Sequence, residues 1–362
     1  MVQTDVPGFP YAVEVDCHDP SAWNGIVDRF SDASLYQTGP YGEVRWGEKN
    51  VSRLVVKKKD QVLAAAQVRL FRIPVLNTGI AYVFYGPMWK PRLTGPDIRN
   101  YRIGLRALVD EYVRSRKFIL RVRPWGFEEK NPDMESALLE EGFRSTQGIY
   151  RQKIRTVLVD LRLSEKDLRA RLKKKWRQTL QHSERAGLTI VEGYDERLFD
   201  AVRPIYLEML EEKKFAPQSN FDEFARMQER LSAGQKMRVA LCKSGNGPVS
   251  GSLCSAIGDA AIGLVGATGR AGRETQAYYL LQWDEILWSK RAGKSFYDFG
   301  GINPVTNPGV YRFKAGMNGE EVTYLPVHDY CGSRRVYNLV MWLERLFGKA
   351  SVLYMRREKS TG

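Results

Sequence analysis

KSFYDFGGINPVTNPGVYRFKAGMNGE, Lys294–Glu320, is the stretch on which the fold reading turns. A helical segment, Gln276–Arg291, leads into it, and Lys294–Phe299 then reads as a short strand of aromatic and aliphatic residues. Gly300-Gly301 stops that strand, since paired glycines allow unusual backbone angles and close approach by another group. Pro304 and Pro308 predict extended, irregular chain beyond it. Gly309–Gly316 carries Tyr311, Arg312, Phe313 and Lys314, two aromatic and two cationic residues in four positions. Just past a strand end in an α/β protein, such a cluster reads as an active-site rim. A basic surface loop pinned by aromatic anchors is the alternative.

Working outward, Met237–Cys242, Val249–Ala256 and Ala260–Gly266 read as three meandering strands, joined by turns at Ser244–Gly247 and Gly258-Asp259. Helices are expected over Glu196–Glu212 and Asp222–Ala233, one long basic helix over Ser164–Ala186, and a late strand over Val322–Val327. The first half has the same order: strands at Arg53–Lys58, Gln61–Phe71 and Ile80–Tyr85, a helix over Pro96–Arg116, and a strand at Phe118–Val122. Three strands, a helix and a strand therefore occur twice. The order predicts an α/β (α+β) chain of two similar domains, 1–153 and 154–362, with a cleft between them. Tyr337–Tyr354 is read as a capping helix of the second domain that can also touch a membrane surface.

Composition bounds the rest. With 43% apolar and 27% charged residues the chain has an ordinary globular balance, but 56 Lys+Arg against 42 Asp+Glu leave it at +14. Such a surplus points to polyanionic partners without choosing among nucleic acid, nucleotide-linked substrates and an anionic membrane leaflet. Cys17, Cys242, Cys254 and Cys331 are scattered without metal-ligand spacing, as are His18, His182 and His328. No metal site is expected, and the thiols read as packing residues of a reduced, cytoplasmic protein. Met1–Pro10 has no apolar core of a signal peptide, and no stretch reaches the ~18 apolar residues of a membrane span.

The repeated order is that of the acetyl-CoA-dependent N-acetyltransferase (GNAT) fold, used twice. Within it the second half resembles the FemABX peptidyltransferases, through TVLVDL at Thr156–Leu161, the basic helix with Arg177 and Ala186-Gly187, YDFGGI at Tyr297–Ile302, and NPGVYRFKAG at Asn307–Gly316. Gln37–Arg45, Tyr85-Gly86-Pro87 and Glu141-Gly142-Phe143 extend the resemblance to the first half. Nothing is long enough for the helical arm of the larger family members, so the compact type is implied.

The resemblance implies aminoacyl-tRNA as donor, a nucleotide- or lipid-linked peptide as amine acceptor, no cofactor, peripheral contact with the inner membrane face at most, and a monomer. An activated ester needs no nucleophilic Ser or Cys, only an oxyanion donor and placement of the reactants. By resemblance Lys314 is that cation, with Phe313 lining the site. Tyr311, Arg312, Gly300 and Gly301 form the rim. Asp298 either accepts a proton from the attacking amine or holds the glycine turn. Arg45, where the family usually has Lys, and Lys213 with Lys214, where it has Arg, would face the acceptor phosphates. In RARLKKKWR, Arg169–Arg177, the cations Lys173, Lys174, Lys175 and Arg177 would meet nucleic acid while Trp176 packs inward. CoA-dependent N-acylation is the alternative, with GATGRAGR at Gly266–Arg273 where a pyrophosphate loop would lie, though out of register with that signature. A non-catalytic nucleic-acid-binding module would leave the YRFK cluster without purpose.

Overall fold

The structure, a computed structural model, describes residues 11–73, 78–146, 153–213, 221–245 and 247–346, apart from the side chains of 213 and 344–346. In chain order the first elements are β1 (Ala12–Val15), α1 (Pro20–Val27), α2 (Gly39–Trp46), β2 (Val51–Lys58), β3 (Gln61–Arg72) and β4 (Gly79–Phe84). Next come α3 (Ile98–Leu108), β5 (Ile119–Arg123), α4 (Pro132–Glu140), β6 (Arg144–Ser145) and β7 (Arg155–Asp160). There follow α5 (Glu165–Arg171), α6 (Lys174–Glu184), β8 (Thr189–Gly193), α7 (Glu196–Lys213), α8 (Phe221–Arg230), β9 (Arg238–Ser244), β10 (Gly247–Ser255) and β11 (Ala260–Thr268). The chain closes with α9 (Arg270–Glu274), α10 (Ala277–Arg291), β12 (Phe296–Asp298), α11 (Pro308–Gly316), β13 (Glu320–Thr323), β14 (His328–Tyr330) and α12 (Arg334–Leu346).

The described residues divide into two units, the first made of those up to 153 together with 323–346 and the second of those from 154 to 322. The first unit's sheet runs β1-β2-β3-β4-β5-β14-β6, and the second's runs β13-β7-β12-β11-β10-β9-β8. Read from opposite ends the two orders coincide. Each has an antiparallel run of four strands, a helical crossover to a parallel neighbour (β4 to β5, β11 to β12), and an antiparallel strand beyond it. That last strand has opposite origins: in the second unit it is β7, which precedes the unit's other strands, and in the first it is β14, from near the chain's end. The tail therefore departs from the expected boundary. Residues 323–346 belong to the first unit, because β14 fills the place beside β5 and α12 packs Val340 and Met341 against Ile119.

Three further expectations are corrected by local chemistry. The single helix over Ser164–Ala186 is two, since Leu172 is extended (ψ 134°) and the Lys173 N–H bonds Gly316 O at 3.0 Å. The late strand splits into β13 and β14 around Pro326, which has no N–H to give a ladder. Pro308–Gly316 is a helix, because Asn307 caps it, Oδ1 accepting from Val310 N at 3.3 Å, and Pro308 takes the first helical turn, where no N–H is needed. The first core gathers Leu54, Val68, Val83, Tyr101, Leu105 and Leu120, and the second gathers Val157, Leu168, Trp176, Trp283, Ile286 and Tyr297. Among the described residues no helix is long and apolar enough to cross a membrane.

Candidate functional site

In the second unit β11 and β12 run side by side for three residue pairs, Ala260↔Phe296 to Ile262↔Asp298. There β12 stops, because Gly300 turns the chain at φ +68°, a conformation natural to glycine. Strand β11 continues to Thr268 along β10. The parting leaves a cavity of about 660 Å³ between the far half of β11, α10 and α11. The matching pair in the first unit stays closed. There β4 and β5 pair over five residues, Ile80↔Ile119 to Phe84↔Arg123, and the Gly86 N–H bonds Arg123 O at 3.3 Å. Gln37 stitches the end of that pair, donating to Phe84 O at 2.8 Å and accepting from Gln67 N at 2.7 Å.

Helix α11 presents Val310, Phe313 and Lys314, at i, i+3 and i+4, to the cavity. Lys314 Nζ donates to Gly301 O at 2.9 Å and Gly300 O at 3.3 Å, so the diglycine turn holds the ammonium in place. Burial pushes Lys314 down to about 8, against the pull of the Asp298 carboxylate. Phe313 is fixed among Tyr279, Tyr278 and Trp176 at centroid distances of 5.0, 5.3 and 5.9 Å. Tyr311 turns elsewhere, its hydroxyl donating to Glu321 at 2.8 Å while Glu321 pairs with Arg155, and Arg312 is exposed. The cluster of four thus separates into two cavity residues and two others. Asp298 does not line the cavity. It is fully buried and accepts from Thr156 Oγ1 at 2.5 Å and Gly300 N at 2.8 Å, which fixes the turn whose carbonyls hold the Lys314 ammonium.

The floor holds residues that the sequence reading missed. Tyr297 and Gln282 line the cavity, and Gln282 Nε2 donates to the Tyr297 hydroxyl at 3.2 Å. That hydroxyl donates in turn to the buried Glu285, whose second oxygen accepts from Ser252 Oγ at 2.5 Å. Gly263 and Gly266 make room, since a Cβ at either would collide with the hydroxyl of Tyr297 or Tyr278 respectively. Glycines inside an apolar strand were the available signal. Burial pushes the nearby Cys254 thiol well above its ordinary value and Cys242 up to about 11, so neither is a ready thiolate.

The Gly266–Arg273 segment enters α9, where α7 supplies acids. Glu208 Oε1 accepts from Arg270 N at 2.8 Å, and Glu212 pairs with Arg273 at 2.6 Å. Of the other expected site residues, Arg45 is half-buried in the last turn of α2, in the first unit. Lys213 is the last residue of α7, and Lys214 lies outside the described residues. Lys173, Lys174 and Lys175 are exposed at the head of α6, Trp176 is buried behind them, and Arg177 donates to Ala170 O at 3.2 Å.

The FemAB family model matches residues 208–344, the segment that contains β11, the YDFGG turn and α11. No curated protein matches the sequence. Among solved structures, FemX superposes with a TM-score of 0.76 at 15% identity, over 90% of this chain and 99% of that one. The C-terminal domain (DUF2156) of a putative lysylphosphatidylglycerol synthetase from Agrobacterium fabrum follows with a TM-score of 0.56 at 13% identity, over 88% and 95%. Residues 208–344 thus carry the sequence pattern of the FemAB family model, on a chain whose fold is similar to that of FemX.

Proposed function

We propose that the second unit transfers an aminoacyl group from aminoacyl-tRNA to an amine on a peptide carried by a nucleotide- or lipid-linked cell-wall precursor. The observation that carries this reading is Lys314, a partly desolvated ammonium held by the Gly300 and Gly301 carbonyls at the edge of the open strand pair. An ammonium has three N–H donors. Two are committed to the turn, and the third is available to an oxyanion. The acceptor nitrogen attacks the ester carbonyl, the C–N bond forms as Lys314 takes up the negative charge, and the ester C–O bond then breaks toward the ribose oxygen. A single such donor is worth about 3 kcal/mol of barrier. With both buried thiols held protonated, direct attack on an activated ester is the chemistry that these residues suit.

Two features favour a tRNA donor over acyl-CoA. The carboxylates of Glu208 and Glu212 already engage the Arg270 N–H and Arg273, on the segment where a pyrophosphate would have to lie. The exposed Lys173, Lys174 and Lys175 add cations suited to a phosphate backbone. Arg45, Lys213 and Lys214 are assigned to the acceptor phosphates, and neutralising each should raise the acceptor KM more than it lowers kcat.

The test pairs the purified protein with a mixed charged-tRNA pool or with acetyl-CoA, beside candidate amine acceptors. Ribonuclease should abolish transfer. Turnover on acetyl-CoA that ribonuclease leaves untouched would overturn the donor assignment.

A further inference from the structure

We propose that Tyr297 is the proton-transfer residue of the acyl-transfer site, with Glu285 behind it as the buried acceptor. The proposal deepens the acyl-transfer reading and rests on it. The geometry consists of a cavity-lining phenol whose hydroxyl donates to a carboxylate that solvent cannot reach. Gln282 Nε2 approaches the same phenol oxygen from the cavity side, and Ser252 holds the second carboxylate oxygen. A buried carboxylate that accepts two hydroxyl protons is well satisfied, and a structural cross-link would need no more. What exceeds a cross-link is the position. Gly263 gives up its side chain so that the phenol oxygen reaches β11 at the point where the strands part.

Acyl transfer supplies the need. Attack by a neutral amine leaves an ammonium on the tetrahedral intermediate, and its proton must depart before the peptide bond is stable. Tyr297 takes that proton on its oxygen as its own proton passes to Glu285. When the ester C–O bond breaks, the electron pair goes to the ribose oxygen, which receives a proton back along the same path. Carboxylate and phenol are thereby restored, and no other reactant is consumed.

The charged and titratable groups around Glu285 are consistent with such a role. Arg238 faces it from β9 while bound to Glu192 of β8 and Asp284, Cys254 faces it from β10, Tyr297 from β12, and Tyr278 and Asp284 lie on its own helix. Burial raises Glu285 above its ordinary carboxylate value, against the hydrogen bonds from Ser252 and Tyr297 and the pull of Arg238.

The experiment measures kcat against pH for the wild-type protein, Tyr297→Phe and Glu285→Gln, with two acceptor amines of different basicity. A limb that belongs to the acceptor moves with the amine, whereas one that belongs to Glu285 stays. In the wild type a fixed limb should rise with pH. Both variants should lose it, with kcat down about tenfold or more, acceptor KM within about twofold, and unchanged melting temperature for Glu285→Gln, whose amide keeps the packing. A variant that loses rate yet keeps the fixed limb, or one that keeps kcat within twofold, would overturn the proposal. The limb concerns the acceptor's proton and is read with whichever acyl donor the wild type uses. A failed tRNA assignment therefore leaves this result interpretable.

Discussion

In the proposed transfer, Lys314 works by being held where water cannot fully solvate it. Its stem lies along the cavity, its head is tied to two carbonyls, and burial brings it to about 8 where a free lysine stands near 10.5. The ammonium is therefore the working form below that value and is lost as pH rises through it. Activity should fall on the alkaline side with a midpoint near 8, and kcat profiles of Lys314→Ala should lack that limb. An oxyanion donor acts mainly in the transition state, so Lys314→Ala should lower kcat by about a hundredfold with little change in KM. Lys314→Arg should rescue poorly, because a planar fork cannot occupy a point-charge position bound by the turn carbonyls. Near wild-type turnover by Lys314→Ala in a steady-state assay would place the chemistry elsewhere.

At the scale of elements, α11 aims that lysine, and its orientation depends on a cap. Asn307 satisfies the Val310 N–H, and losing such a cap costs about 1 kcal/mol. Asn307→Ala should lower the melting temperature by a few degrees and reduce kcat, while Asn307→Asp, which keeps an acceptor at the cap, should restore both. The meandering strands, the crossover helices and the YDFGG turn were legible in the sequence because each carries a local pattern of alternation, amphipathic spacing or paired glycines. Asn307-Pro308 carries a legible signal too, an N-cap followed by proline in the first helical turn, which outweighs the extended chain that Pro304 and Pro308 alone predict. The break at Leu172-Lys173 was not legible, since the Gly316 carbonyl that takes the Lys173 N–H lies far along the chain. The same holds for the cavity floor. Ser252, Gly263, Glu285 and Tyr297 come from four elements, and no spacing rule links a serine on one strand to a glutamate on a helix.

At the scale of the whole molecule, the two sheets share one order of strands but complete it differently. Strand β14 closes the first sheet, and its Asp329 accepts from Arg121 Nε and Nη2 at 2.8 and 3.0 Å with each side chain almost fully buried. Removing one partner of a buried pair strands the other charge, at a cost of about 3–5 kcal/mol. Asp329→Ala should therefore destabilise the first unit strongly, read as early loss of amide-exchange protection in β4 and β5. Protection that survives there would mean that β14 is a dispensable edge. The late arrival of this strand also gives the chain a timetable. During synthesis the ribosome releases residues 11–146 first, but their sheet lacks its penultimate strand until residue 330 emerges. The later-made unit, whose seven strands span 155–323, has every strand available before the earlier-made one does. Between those moments β5 presents an open edge, the kind of surface that invites pairing with another chain. A nascent or truncated product that stops short of β14 is accordingly the form of this protein most in need of a chaperone.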